Sequence, residues 1–253
     1  MLEEHCGKVM SRVIVNALKR PIQTVLAAEL MLAFVLVPLI GLPVASAQTS
    51  PWKQLWAKTE ALEKAGKYQE AIQAAEEAHQ FAEQQFGPSD TRLAGILNRL
   101  ATLYQNRQHR YAEAEPLFRR SLEIYQQQNG PIHTSVAVLH NNLGVLYQEW
   151  QRWQDSEQSF KEAIKIYNSL REQQGAAFDS KNEVQLAWVL NRCGMTYYEA
   201  GRFEDAGRMF AEALERFEAV QGASHKDVAM ALHNLADAYH QQKRYADAEP
   251  LYQ

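Results

Sequence analysis

His233, Asp237 and His240 stand at i, i+4 and i+7 in "HNLADAYH", a spacing that puts two imidazoles and a carboxylate on one face of one helix. That donor set can bind zinc. Two helical turns are a long span for a single ion, however, and no cysteine stands near, so we expect no metal and read the three as polar residues lining a groove. His133 and His225 recur in a Gly-x-x-His connector and read as turn residues. His140 reads as a partly buried, hydrogen-bonded core histidine. Cys193 occupies a position filled elsewhere by Leu100, Leu143 and Leu235, so it reads as an inert packing residue. No nucleophile–base pair, phosphate-cradling glycine loop or spaced acid pair is present. The chain reads as a non-enzyme with no cofactor.

The elements that carry these residues repeat. With Tyr239 as a landmark, the same phrase recurs upstream at Tyr104, Tyr147 and Tyr197, and more weakly at Leu62, giving spacings of 42, 43, 50 and 42. Each unit opens with small and apolar residues at helical spacing, such as Ala94, Leu97, Leu100, Ala101 and Tyr104. After a polar turn an aromatic residue starts a second helical stretch: Tyr68, Tyr111, Trp153, Phe203 and Tyr245. Three residues later comes a small one, Ala71, Ala114, Ser156, Ala206 or Ala248, which lets two helix axes approach. "FGPSD", "NGPIH" and "QGASH" end the second helices on glycine. Trp52, Trp56, Trp150 and Trp153 read as packing and rim residues. One such helix pair cannot bury its apolar face alone, whereas stacked pairs form a solenoid with a concave side.

These features resemble the tetratricopeptide repeat, normally 34 residues long. The 42-residue period, with "GPIHTSVA" and "LHNLADAYHQQKRYADAEPLY", is similar to the longer variety of kinesin light chains. The resemblance implies an all-α, right-handed superhelical solenoid of antiparallel helix pairs, about five repeats with the last incomplete. The units fall at about 52–87, 90–130, 134–174, 183–222 and 226–253. Unit one lacks the signature of a first helix and reads as an amino-terminal cap. One extra turn residue lies within 107–110, and eight extra residues around "REQQGAAFDSKN" predict a longer second helix and connector. Unit five stops nine residues into its second helix without a closing cap, so the sequence is expected to be cut short.

In that family, ligands are held by the first helix of each pair. The resemblance therefore nominates Asn98, Asn141, Asn191 and His233, six residues before each landmark, and Arg99, Asn142, Arg192 and Asn234, five before. Further along the same face come Gln105, Gln148, Tyr198 and His240. A side-chain amide both donates and accepts, so a ladder of asparagines can hold an extended peptide backbone without reading its side chains. The alternative is that these amides solvate the surface or bond within the stack. Only Arg99 and Arg192 are basic here, against Glu60, Glu63, Glu149, Glu199 and Asp237, which favours a neutral or weakly basic segment. Trp188, Met195, Tyr198 and Met230 offer apolar pockets.

The whole chain has 253 residues, 46% apolar and 22% charged, with a formal charge of −4. Nothing in it argues for nucleic acid or an anionic membrane surface. The first 47 residues differ. Lys8, Arg12, Lys19 and Arg20 precede an apolar run that ends in Ala45-Ser46-Ala47, the pattern of a secretory signal cleaved before Gln48. An uncleaved anchor over residues 22–44 is the alternative, although Glu29, Pro38, Gly41 and Pro43 interrupt it. Either way the repeats, residues 48–253, are expected outside the cytoplasm, periplasmic or secreted. Cleavage removes four of the 26 basic and three of the 30 acidic residues, leaving −5, and leaves Cys193 without a partner for a disulfide. Three roles follow. One is an exported adaptor or scaffold. Another is the recognition arm of a longer effector, such as a CHAT-type protease, whose carboxy-terminal part is missing. The last is a module that self-associates through its open fifth unit.

Overall fold

The computed structural model describes residues 50–252. The expected leader over residues 1–47 therefore lies outside the described residues. Ten α-helices follow one another among those described. They are α1 (Pro51–Lys64), α2 (Tyr68–Phe86), α3 (Thr91–Gln108), α4 (Tyr111–Asn129) and α5 (Thr134–Glu149), then α6 (Trp153–Gln174), α7 (Ser180–Glu199), α8 (Phe203–Gln221), α9 (Lys226–Gln241) and the short α10 (Tyr245–Ala248). A 3-10 turn, Gly175–Ala177, follows the longer α6, and another, Glu249–Leu251, follows α10. The eight extra residues thus lengthen a second helix and its connector. No helix among the described residues is long and apolar enough to cross a membrane.

Each helix packs on the next, and the first helices of successive pairs also meet directly: α3 with α5, α5 with α7, α7 with α9. That stacking makes the all-α solenoid of five helix pairs expected from the repeats. Every second helix starts on its aromatic residue, and the small residue three positions on is buried in all five units. Ser156 illustrates why: its hydroxyl donates to the Gly144 carbonyl at 2.9 Å. Gly144 and Gly194 let the rings of Phe160 and Phe210 onto the facing helix. A Cβ at either glycine would lie 2.6 Å from a ring carbon.

The landmark itself closes the turn inside each pair. The carbonyls of Leu62, Tyr147, Tyr197 and Tyr239 accept from Lys67, Arg152, Arg202 and Arg244, five residues on, at 2.8–2.9 Å. This is the wide hydrogen bond of a helix-terminating turn. In unit two it runs from Arg110 to Tyr104, six residues apart, which accommodates the extra turn residue. The turn needs one left-handed residue; Gly66 and Gly201 take it without cost, while His109, Gln151 and Lys243 adopt it at φ 51–62°. First helices are capped from their connectors. Asp90 and Asp179 accept backbone N–H bonds through their carboxylates. His133 and His225 do the same through Nδ1, from Ser135 and Asp227. The recurrent connector histidines are therefore caps.

Candidate functional site

The nominated amides meet across the stack, displaced by one residue. Asn142 donates to the Oδ1 of Asn98 at 2.9 Å, and Asn234 donates to the Oδ1 of Asn191 at 2.9 Å. The position six before one landmark therefore faces the position five before the next, since successive first helices are staggered. Asn141 turns to its neighbour Asn142, at 3.3 Å. Asn191 is only 4% exposed and Gln105 only 3% exposed. Gln105 reaches the Glu149 carboxylate at 3.0 Å. The expectation that these two offer their amides to a ligand is corrected on this point: both are buried and bonded within the stack. Asn98, Asn141, Asn142, Gln148 and Asn234 are half-buried, and His233 and His240 are exposed.

The two arginines part company. Arg99 is engaged by Glu63, its Nε donating to Oε1 at 2.8 Å, so its charge is neutralised between units one and two. Arg192, half-buried on α7, has no hydrogen bond or ion pair from its guanidinium among the described residues. Burial pulls its pKa below the ordinary arginine value, and the charge of Glu149 works the other way. Its nitrogens are not sealed from solvent, so donors that no protein group accepts from are left to water or to a bound group.

At the far end, Tyr252 donates to Asp237 at 2.6 Å and its ring meets that of His233 edge-on. His233 also lies 3.5 Å from Asp237, while His240 packs against the ring of Tyr245. His233 and Asp237 thus share Tyr252 while His240 sits apart against Tyr245, and no group of three His, Cys, Asp or Glu positioned for a metal occurs among the described residues. Tyr198 packs edge-on against Phe203 and accepts from Gln241. Trp188, Met195 and Met230 are half-buried on the core's edge. His140 lines a small recess of about 190 Å³ with Arg119, Asp155 and Glu162. Burial lowers its pKa and Glu162 opposes that; no side chain among those described hydrogen-bonds its ring, which corrects the expected bonded histidine. Cys193 is fully buried, which pushes its thiol up to about 12.

Sequence reasoning overlooked a second recurring constellation. Arg110, Arg152, Arg202 and Arg244, each just before the opening aromatic, lie over the landmark tyrosine rings at 4.1–4.6 Å. Glutamates of the preceding unit accept from those tyrosines: Glu76 from Tyr104, Glu115 from Tyr147 and Glu157 from Tyr197, at 2.6–3.1 Å. The recurrence of Arg-aromatic with Glu four residues on, at Arg110/Glu115 and Arg152/Glu157, is visible in the sequence.

A stack of helix pairs whose first helices share a polar face defines a helical-repeat solenoid, a type that generally serves as a non-catalytic scaffold for protein interactions. The tetratricopeptide-repeat profile matches residues 92–169 and 185–253, and the chain belongs to that family. Among solved structures it is similar to BtubC (BKLC) from P. vanneervenii, with TM-score 0.64 and 24% identity over 79% of this chain and 76% of that one. It is also similar to a putative kinesin light chain of Podosopora anserina with nearly identical TPR-like repeats (0.62, 18%, 80% and 93%). The apo form of RapI is a third (0.66, 15%, 79% and 67%). At these identities the likeness concerns the fold. No curated protein sequence matches the chain.

Proposed function

We propose that the protein is an interaction scaffold that holds an extended segment of another protein along the face built by α3, α5, α7 and α9. The observation that carries this reading is Arg192, a half-buried residue of α7 whose guanidinium has no acceptor among the described residues, on the same first-helix face as the half-buried Asn141 and Asn142 of α5. Its donors suit a peptide carbonyl, and the amides beside it pair with backbone groups of either kind. Arg99 is neutralised by Glu63, whereas Glu149 and Glu199 are exposed on the same helices. That balance favours a neutral or weakly basic segment over an acidic one. The half-buried Trp188, Met195 and Met230 would take its apolar side chains. The leader's signal pattern adds that this scaffold works outside the cytoplasm.

The test is fluorescence anisotropy of the full chain against three sets of end-blocked 12-residue peptides of neutral, basic and acidic composition. Binding is expected from the neutral and basic sets. Arg192→Gln combined with Asn141→Ala should weaken it at least about tenfold, the loss of two polar contacts, with an unchanged helical spectrum. Tighter binding by the acidic set, or full affinity in the double variant, would refute the reading.

A further inference from the structure

Between unit four and unit five the repeating tyrosine–arginine–carboxylate arrangement is broken. At the three earlier junctions a glutamate from the preceding second helix reaches the landmark tyrosine. Glu115 and Glu157 also accept from Arg152 and Arg202, at 3.1 and 2.7 Å. These carboxylates stand four residues after the opening aromatic in units two and three, and Glu76 stands eight after it in unit one. In unit four those two positions are Gly207 and Ala211, so neither can send a polar group to Tyr239. Arg244 nevertheless keeps its place, with its guanidinium 4.1 Å above the Tyr239 ring. Its polar partners all belong to its own unit: Asp247 at 2.8 Å, Gln242 at 3.5 Å and Tyr239 itself.

Where the side chain is missing there is space. A recess of about 380 Å³ opens over Gly207 and Ala211, walled by Tyr239, Gln242 and Arg244 and edged by Arg208. Glu204 also stands on the rim but pairs with neither arginine. Gly207 is buried among these groups, and a Cβ there would meet the end of Gln242 at 3.3 Å, the Tyr239 ring at 3.7 Å and the Ala238 methyl at 4.0 Å.

We propose that this recess is a carboxylate-binding site that takes a glutamate or aspartate side chain from a partner protein. The partner's group would complete the arrangement that Glu115 and Glu157 complete from within the chain. The chemistry is read from the molecule's own junctions, where the equivalent tyrosine and arginine both donate to a carboxylate in two units. Arg presents a planar fork suited to that group, with the phenol as a further donor. The site lies at the turns between paired helices, apart from the first-helix face, and stands independently of the reading given to that face.

The probe is N-acetyl-glutamate N-methylamide, titrated at matched ionic strength into the full chain labelled with 15N-arginine, with the Arg244 Nε–H resonance observed. A saturable shift is expected, absent with the glutamine analogue and lost in Gly207→Glu, which supplies the carboxylate internally and should raise the melting temperature. Arg244→Gln leaves the recess open and should abolish the response of the Tyr239 ring resonances, so the test stands if Gly207→Glu fails to fold. Equal shifts with glutamate and glutamine analogues, or no shift at all, would overturn the proposal. Tighter binding of N-acetyl-alanine, which presents only a chain-terminal carboxylate, would overturn the assignment to side chains.

Discussion

Asn142 reaches back 44 positions along the chain to donate its amide to Asn98 at 2.9 Å, and the Asn234–Asn191 pair repeats the bond two junctions further on. Both bonds join first helices of neighbouring units, so they couple those units through polar side chains. Asn98→Ala should cost about 1 kcal/mol, the net worth of one such bond. Asn191→Ala should cost more, about 1–3 kcal/mol, because its site is buried and Asn234 loses its acceptor. Urea unfolding measures both, and a double-mutant cycle on Asn98 and Asn142 should show coupling. Additive effects would mean that the bond contributes nothing between units.

Gly144 and Gly194 should not tolerate alanine, although alanine is the better helix former by about 1 kcal/mol. The added methyl would sit 2.6 Å from a ring carbon of Phe160 or Phe210. Overpacking a tight core costs about 1–3 kcal/mol, so the clash should win and each variant should unfold at lower urea. Ala101 and Ala236 carry a methyl at the equivalent step in units two and five, which makes them the internal controls.

Acid should loosen the junctions. Burial alone would raise the pKa of Glu115, but the bonds from Tyr147 and Arg119 and the charges of Arg119 and Arg152 outweigh it and hold the carboxyl below its ordinary value. Glu157 is lowered on the same balance, by Lys161, Tyr197 and Arg202 against burial. A carboxyl depressed in the folded state binds its proton more readily when unfolded. Its contribution is therefore complete above the unfolded pKa of about 4.3 and is lost as pH falls through the folded value. The urea midpoint should drop between pH 6 and pH 3. Glu115→Gln should lower the midpoint at pH 6 and shrink that drop; an unchanged drop would exclude Glu115 as a contributor.

Cys193 should be a reporter of opening, since it is the sole cysteine of the described residues, is fully buried and has its thiol held protonated up to about 12. Iodoacetamide at pH 8 should label it at least about 100-fold more slowly in the folded protein than in urea, because the attacking thiolate forms only on opening. Labelling followed by intact mass checks this, and equal rates would show that α7 opens freely.

The repeat was legible in the sequence because each unit restates the same local chemistry. An aromatic residue opens the second helix, a small residue follows three later, and in units one, two and four glycine ends it at φ 79–83°. Such signals act within a few residues of themselves, so spacing alone determined the helix pairs and the longer α6. Which amide faces a ligand and which faces another amide is decided by the stagger between units, a relation over more than forty positions. The same tertiary offset buried Asn191 and Gln105, gave Arg99 the Glu63 carboxylate and left Arg192 without one. Gly207 makes the point most plainly. In the sequence it is one small residue in a helix; in the stack it is a missing carboxylate beneath Tyr239 and Arg244.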